Sequence, residues 1–239
     1  MVGAAVPGRL SATAWQQATV VDMRPETATA RTVVLRPEDP FSHVAGQHVV
    51  VRLTAPDGYR ASRSYSIASA PGSELVELTV ERLGDGEVSP FLHDELAMGD
   101  QLEVRGPIGR WFTWTGTSPA VLVGGGSGVV PLMSMLRLAR DLGRPDLVRM
   151  VLSVRSLDDL YYRDELPGPE ACVIYTRSAP ADATRDVGRL DGEDLVGHLL
   201  PGATAYVCGA PGFADAATDH LVSAGVSVEC IRVERYGPS

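Results

Sequence analysis

The stretch Ala120-Val121-Leu122-Val123-Gly124-Gly125-Gly126-Ser127-Gly128-Val129-Val130-Pro131 decides the reading of the fold. Four consecutive apolar residues with no alternation indicate a strand buried on both faces. Glycines follow, and the run from Val129 to Leu142 carries the spacing of a helix. A turn of this kind aims the unpaired N–H groups and positive dipole end of the helix at whatever sits above the strand, which suits a pyrophosphate. Glycines remove the Cβ atoms that would hold a phosphate away, and Ser127 can add a hydroxyl donor. The strict dinucleotide fingerprint is not met, because its third glycine falls at Val129. A P-loop is not met either, because no lysine follows. A tight strand–helix turn with no ligand remains the competing reading.

Outward from that turn, strand and helix alternate. Val148–Val154, Cys172–Thr176 and Ala205–Cys208 read as further strands, Leu157–Leu166 and Gly212–Ala224 as helices, and Ser227–Arg232 closes the series. This alternation predicts a parallel sheet with helices on both faces. Cys208-Gly209-Ala210-Pro211-Gly212 ends a later strand, so both glycine turns can line one crevice at the carboxyl ends of the strands. Toward the N-terminus the pattern differs. Thr32–Leu35, His48–Leu53, Leu75–Val80 and Gln101–Val104 are short and β-branched, with turn signals such as Asp57-Gly58 and Pro71-Gly72 between them. They predict an antiparallel barrel or sandwich, interrupted by one short helix over Ser89–Leu96. The expected organisation is two domains: an antiparallel β-barrel over residues 1–116 and an α/β parallel-sheet nucleotide-binding domain over 117–239.

Composition narrows the function. The chain has 239 residues and a formal net charge of −9, with 21 basic against 30 acidic side chains. Residues 1–116 carry 10 arginines and 14 acids, and 117–239 carry 11 and 16, so neither half is a charged tail. An acidic chain lacks the basic face that nucleic acid requires. All the basic residues are arginine, which removes the lysine-centred chemistries such as Schiff-base formation. Cys172, Cys208 and Cys230 form neither a disulfide framework nor a metal motif, and no metal site is expected. Met1–Trp15 lacks the apolar run of a signal peptide, and Ala120–Leu136 is too broken by glycine and proline to cross a bilayer. These features point to a cytoplasmic, monomeric protein with no membrane association.

Arg63-Ser64-Tyr65-Ser66-Ile67-Ala68-Ser69 is the most informative segment of the first half. Arg63, Tyr65 and Ile67 alternate with Ser64, Ser66 and Ala68, which puts a cation and an aromatic ring on one face. Such a face can stack an aromatic cofactor and meet its phosphate; an exposed strand whose tyrosine covers the core is the alternative.

In order along the chain, Arg63-x-Tyr65-Ser66, Gly86-Glu87-Val88-Ser89, Gly106-Pro107-x-Gly109 with Trp111-Phe112, Gly124–Pro131, Cys208-Gly209-x-Pro211 and Glu234-Arg235-Tyr236 resemble the motifs of the ferredoxin–NADP(H) reductase superfamily. Ser127 replaces the family's threonine and Ala210 its first proline. Gly237-Pro238-Ser239 follow the aromatic residue that ends the plant-type chains.

The resemblance implies an FAD-dependent oxidoreductase in which hydride passes from NADPH, or NADH, to the flavin. It implies that Tyr65 stacks on the isoalloxazine, that Ser66 sits near its N5, and that Arg63 and Ser89 hold the pyrophosphate at the Gly86–Ser89 turn. Ser64, Val80, Glu81, Arg82 and Val88 belong to the same implied flavin site. Gly125, Gly126, Ser127, Gly128, Gly209 and Pro211 are the implied nucleotide turns. Cys208 is implied near the nicotinamide C4, Tyr236 over the second flavin face, and Glu234 near the N5 proton, where a surface acid is the alternative. Arg155 and Arg177, at the ends of two strands with no acid beside them in sequence, favour the 2′-phosphate of NADPH.

No C-x4-C-x2-C iron–sulfur spacing is present, so electrons are expected to leave for a separate acceptor, a ferredoxin or an oxygenase component. A flavin reductase releasing reduced flavin is the alternative, and a non-catalytic flavin-binding electron-transfer subunit is another.

Overall fold

A computed structural model describes residues 14–183 and 185–237. Residues 1–13, which carry most of the signal-peptide reading, lie outside the described residues.

The first sheet contains β1 (Gln16–Pro25), β2 (Ala30–Pro37), β3 (His48–Thr54), β4 (Arg60–Ser66), β5 (Val76–Glu81) and β6 (Gln101–Ile108). Their order is β4-β3-β6-β1-β2-β5, and every pairing is antiparallel. The expected strand over His48–Leu53 is β3, where Val49 and Val51 are buried and Arg52 turns outward to Glu103 at 2.6 Å. Each fully buried aliphatic side chain of this kind contributes roughly 1.5–3 kcal/mol. β1 was not foreseen as a strand. Its segment mixes polar and apolar residues with no apolar run longer than Val20-Val21, yet β6 and β2 flank it on both sides and Ala18 and Val20 are buried.

The two ends of this sheet curl toward each other and meet at one point. Ile67 bridges Leu78, and the Ala68 amide donates to the Glu77 carbonyl at 2.8 Å. Above that point β4 and β5 share no ladder bonds among the described residues, so the barrel is left with an open seam. The helix expected over Ser89–Leu96 is a short turn, α1 (Val88–Pro90), running into a π-helical turn over Phe91–Glu95; Val88 and Leu92 pin it to the barrel core.

The second sheet is parallel, ordered β11-β10-β7-β8-β9, with β7 (Ala120–Gly125), β8 (Val148–Val154), β9 (Ala171–Tyr175), β10 (Thr204–Gly209) and β11 (Ile231–Arg235). Helix α2 (Val129–Asp141) covers one face, packing Leu132 and Leu136 with Leu122. Helices α3 (Gly192–Val196) and α4 (Pro211–Ser223) cover the other, where Leu195, Ala214 and Leu221 meet Val121 and Val123. The core on the α2 side continues into Ala45, Ala68 and Trp114 of the first half.

Two expectations are corrected, and one element is added. Leu157–Leu166 is not a helix: a single 3-10 turn spans Leu157–Asp159, and the chain then turns through Tyr162 at φ 56°. Its amide is satisfied by the Glu26 carboxylate at 2.7 Å instead of a helical carbonyl. The closing strand runs Ile231–Arg235, later than Ser227–Arg232, after a 3-10 turn at Val228–Cys230. Helix α3, capped by an Asp191 box, was not foreseen. Among the described residues no helix is long and apolar enough to cross a membrane.

Candidate functional site

The open seam is lined by residues that the motif reading singled out. On one side runs β4 with Arg63, Ser64, Tyr65 and Ser66; on the other, β5 ends in Val80 and Glu81. Both are sheet edges, and unpaired edge groups need partners or a cover.

Side chains sharpen the picture. Arg63 is exposed and meets no carboxylate among the described residues; its Nη1 donates only to the Ser62 carbonyl at 2.8 Å. The Tyr65 hydroxyl is buried without any partner, and burial pushes its pKa up to about 12. It is a donor awaiting an acceptor. Ser64 pairs in register with Val50 while Tyr65 pairs with the buried Val49, so the Ser64 side chain faces away from Tyr65. Val80 is core, and the Arg82 guanidinium is bound to Asp94 at 2.7 Å, leaving this strand end mainly its backbone to offer.

Beside the seam, Gly86 and Ser89 form a tight turn. Ser89 Oγ accepts the Leu83 amide at 3.1 Å, which leaves its own proton to donate, and Val88 is fully buried. Tyr59, not singled out in sequence, donates to Glu87 of this turn at 3.0 Å from the β3–β4 hairpin. Its only sequence signal was the adjacent Asp57-Gly58 turn.

At the lip of the seam the two sheets meet. Ser66 Oγ is hydrogen-bonded to the Tyr236 hydroxyl, joining residues 170 positions apart. Cys208 stands opposite Glu234 in the β10–β11 register, and both lie close to the Tyr236 hydroxyl. These four, expected to act together, are brought together. Burial, and then the neighbouring Glu234, push the Cys208 thiol well up, so it stays protonated. Burial raises the Glu234 carboxyl to about 7, and its Oε2 has no hydrogen-bond partner. Tyr236 is raised well above its ordinary value, by burial first and by Cys208 and Glu234 next. The cluster is therefore poised to be neutral near pH 7, with one carboxyl able to change state there.

The glycine turn beyond β7 behaves differently. A Cβ on Gly128 would stand 2.1 Å from the Cys208 carbonyl oxygen, and one on Gly125 would meet the Phe213 ring at 2.7 Å. The same ring lies 2.7 Å from the Cβ position of Gly209, just ahead of Pro211 at the start of α4. These glycines serve close packing of the turn. Gly126 differs: it has φ +54° and open space around it. Ser127 adjoins it, and the first turn of α2 carries no side-chain cap; the Val129 amide turns back onto the Gly126 and Ser127 carbonyls, and Pro131 has no N–H.

Arg155 and Arg177 also come together, since the Arg177 amide donates to the Arg155 carbonyl at 2.9 Å. Arg177 is exposed and free of ionic partners among the described residues. Arg155 is ion-paired with Asp159, which also accepts from Ser156 at 2.7 Å. The strand end that looked free of acids therefore carries one, delivered by the turn that replaced the expected helix.

This set fits a flavin dinucleotide and a nicotinamide nucleotide: an open edge pair, an orphaned tyrosine hydroxyl and an unpaired arginine on one side, and the open space around Gly126 at the start of a helix, with the exposed Arg177, on the other. Comparison with known proteins agrees. Residues 19–113 match the family described as an oxidoreductase FAD-binding domain, and residues 122–219 the one described as an oxidoreductase NAD-binding domain. A ferredoxin–NAD(P)(+) reductase component of the naphthalene 1,2-dioxygenase/salicylate 5-hydroxylase systems of a Ralstonia species is 28% identical, over 92% of this chain and 69% of its own length. A flavohemoprotein of Rhizobium meliloti is 31% identical over 94% of this chain, which spans 61% of it. Among solved structures, a cytochrome P450 reductase of Amycolatopsis superposes with a TM-score of 0.75 at 26% identity, covering 97% of this chain and 72% of that one. A ferredoxin NADP+ reductase of Neisseria gonorrhoeae, with bound FAD and NADP, gives 0.78 at 20% identity, over 92% and 98% of the two chains. With both domains matched in sequence, the chain joins an oxidoreductase FAD-binding domain to an oxidoreductase NAD-binding domain and is an FAD- and NAD(P)H-binding oxidoreductase, with the two-sheet fold of the ferredoxin–NADP reductases.

Proposed function

We propose that this oxidoreductase draws reducing equivalents from NADPH in preference to NADH and delivers them to a separate ferredoxin or oxygenase component. The observation that carries the reading is the open seam between β4 and β5, with the unpartnered Tyr65 hydroxyl on one side and the Ser66–Tyr236–Cys208–Glu234 cluster at its lip. The division into a flavin barrel over 1–116 and a nucleotide domain over 117–239 belongs to the same proposal.

When bound, FAD supplies the chemistry of accepting a hydride and releasing electrons one at a time. The protein's part is orientation and exclusion of water. Arg63 and the Ser89 hydroxyl hold the flavin pyrophosphate at the Gly86–Ser89 turn. Tyr65 packs its ring along the seam and donates its hydroxyl into it. Tyr236 shields the lip through its bond to Ser66 and swings aside when the nicotinamide docks. Glu234, raised to about 7, holds a proton beside Cys208 at neutral pH. Arg177 supplies the cation for a 2′-phosphate, Arg155 being already neutralised by Asp159.

The acceptor class is supported by the relatives described as reductase components of dioxygenase systems. Steady-state assays with each nucleotide and with ferredoxin, cytochrome or free FAD as acceptor test the proposal. NADPH is expected to be the better substrate, and Arg177→Ala to lower kcat/KM for NADPH about tenfold while leaving NADH unchanged. NADH turned over about tenfold more efficiently than NADPH would overturn the nucleotide assignment. Free FAD reduced faster than any protein acceptor would establish a flavin reductase instead.

A further inference from the structure

Away from the lip of the cleft, the two halves are joined by polar bonds buried between them. The Tyr162 hydroxyl lies 2.6 Å from Thr79 Oγ1, Thr79 Oγ1 lies 2.7 Å from Thr32 Oγ1, and Thr32 Oγ1 lies 2.6 Å from Glu26 Oε1. Glu26 Oε2 accepts the Tyr162 amide, closing a ring. The direction of this chain is determined. A carboxylate only accepts, so Thr32 spends its single proton on Glu26. Thr79 must then donate to Thr32, and Tyr162 must donate to Thr79. Every member is satisfied, and such a network is specific because each loss leaves a buried group unpaired.

Tyr162 takes part in a left-handed conformation, φ 56°, with only 4% of its surface exposed. A bulky residue adopts that region only where its surroundings impose it, and such residues gather at functional sites. Arg137 reinforces the joint from α2. Its Nη1 donates to the Ala68 carbonyl and to Glu77 Oε2, both at 2.9 Å, its Nε donates to Glu165 at 3.0 Å, and its guanidinium lies 5.1 Å from the Tyr162 ring centre.

The anchor points matter. Thr79 and Glu77 lie on β5 and Ala68 follows β4, so both edges of the flavin seam are gripped. The gripping residues come from α2, which starts at the phosphate turn, and from the segment after β8 that begins with Arg155. We infer that Tyr162, with Arg137 as a second bolt, is a positioning residue that sets how the nicotinamide side of the cleft stands against the flavin side. The inference rests on the FAD and NAD(P)H reading above. Hydride transfer depends steeply on donor–acceptor geometry, and a misplacement of about 1 Å costs on the order of a hundredfold.

The test uses the full chain and the variants Tyr162→Phe, Thr79→Val, Arg137→Met and Arg137→Lys, with Arg144→Ala, an exposed arginine paired to Asp146, as control. Stopped-flow reduction of bound FAD is expected to slow about tenfold or more in Thr79→Val and Arg137→Met, with FAD and NADP+ dissociation constants kept within about twofold. Arg137→Lys is expected to recover part of the rate. The second readout is hydrogen exchange in the cofactor-free protein, where amides of 66–69 and 77–80 should open faster in the variants than in wild type or Arg144→Ala. Unchanged reduction rates would overturn the inference. So would a loss of rate that follows a parallel loss of both binding constants, which marks a purely structural joint. If Tyr162→Phe fails to fold, Thr79→Val reads the same bond from the other side. A wild-type protein reduced by neither nucleotide would remove the underlying reading, while exchange would still report separately whether the joint holds the seam.

Discussion

On the barrel side of the cleft, Arg63 meets no carboxylate among the described residues, the Tyr65 hydroxyl is buried and alone, and the edges of β4 and β5 part above Ile67. Across from them, the space at the glycines that end β7 and β10 and open α2 is already filled by the protein: Phe213 lies over Gly125 and Gly209, and the Cys208 carbonyl sits against Gly128. Both regions were found through motifs of similar standing. One keeps its polar groups in reserve, while the other uses most of its glycines to bring a helix close to a sheet. The lesson is that a glycine-rich turn reports close approach, and only the surrounding atoms say whether the approaching group is a ligand or the fold itself.

That contrast can be broken experimentally. The largest effect is expected at Gly128→Ala, where the new Cβ would meet the Cys208–Gly209 backbone, which has no flexible side chain to yield. Urea unfolding should show a loss of about 3 kcal/mol or more, against about 1 kcal/mol for Gly126→Ala, whose space is open and whose cost is only its positive φ. Equal losses would erase the distinction between packed and available glycines.

Next comes Arg63→Ala. FAD affinity, followed by flavin fluorescence, should fall about tenfold to a hundredfold, with the stability of the cofactor-free protein unchanged because only an exposed bond to the adjacent Ser62 carbonyl is lost. A drop in that stability would show that Arg63 is structural after all.

Glu234→Gln gives the smallest and most pH-specific change. The folded carboxyl holds its proton up to about 7, against an ordinary 4.5 when unfolded. The folded state thus binds more protons between those values, and wild-type stability falls as pH rises through that window. The glutamine variant should match wild type near pH 4 and exceed it by about 1–2 kcal/mol above pH 7. A gain independent of pH would remove the carboxyl from the explanation.

Much of this was legible along the chain. Short β-branched runs such as His48–Leu53 between turn signals, and the unbroken apolar run of Ala120–Val123 leading into a helix, indicated the two sheet types, because a strand's burial and its connections leave different patterns in sequence. Motif order gave Arg63, Tyr65, Ser66, Cys208, Glu234 and Tyr236. Less visible were β1, whose mixed segment is a strand because its neighbours flank it, and Leu157–Leu166, whose helical pattern yields to the Glu26 carboxylate and the buried Tyr162. Asp159 beside Arg155 and Tyr59 beside Glu87 were invisible for a related reason: each contact depends on how a turn folds back.

By itself, the sequence determined two sheets of different kinds, the order of the cofactor motifs, and a chain in which arginine alone supplies the cations. Tertiary structure alone decided which glycines are spent on packing, that Ser66 and Tyr236 meet across 170 positions, and that Tyr162, Thr79, Thr32 and Glu26 form one directed chain of hydrogen bonds. Local periodicity records which face of a segment is buried. It holds no information on which distant group will complete a buried donor or fill the space above a glycine, and the chemistry of this cleft depends on those completions.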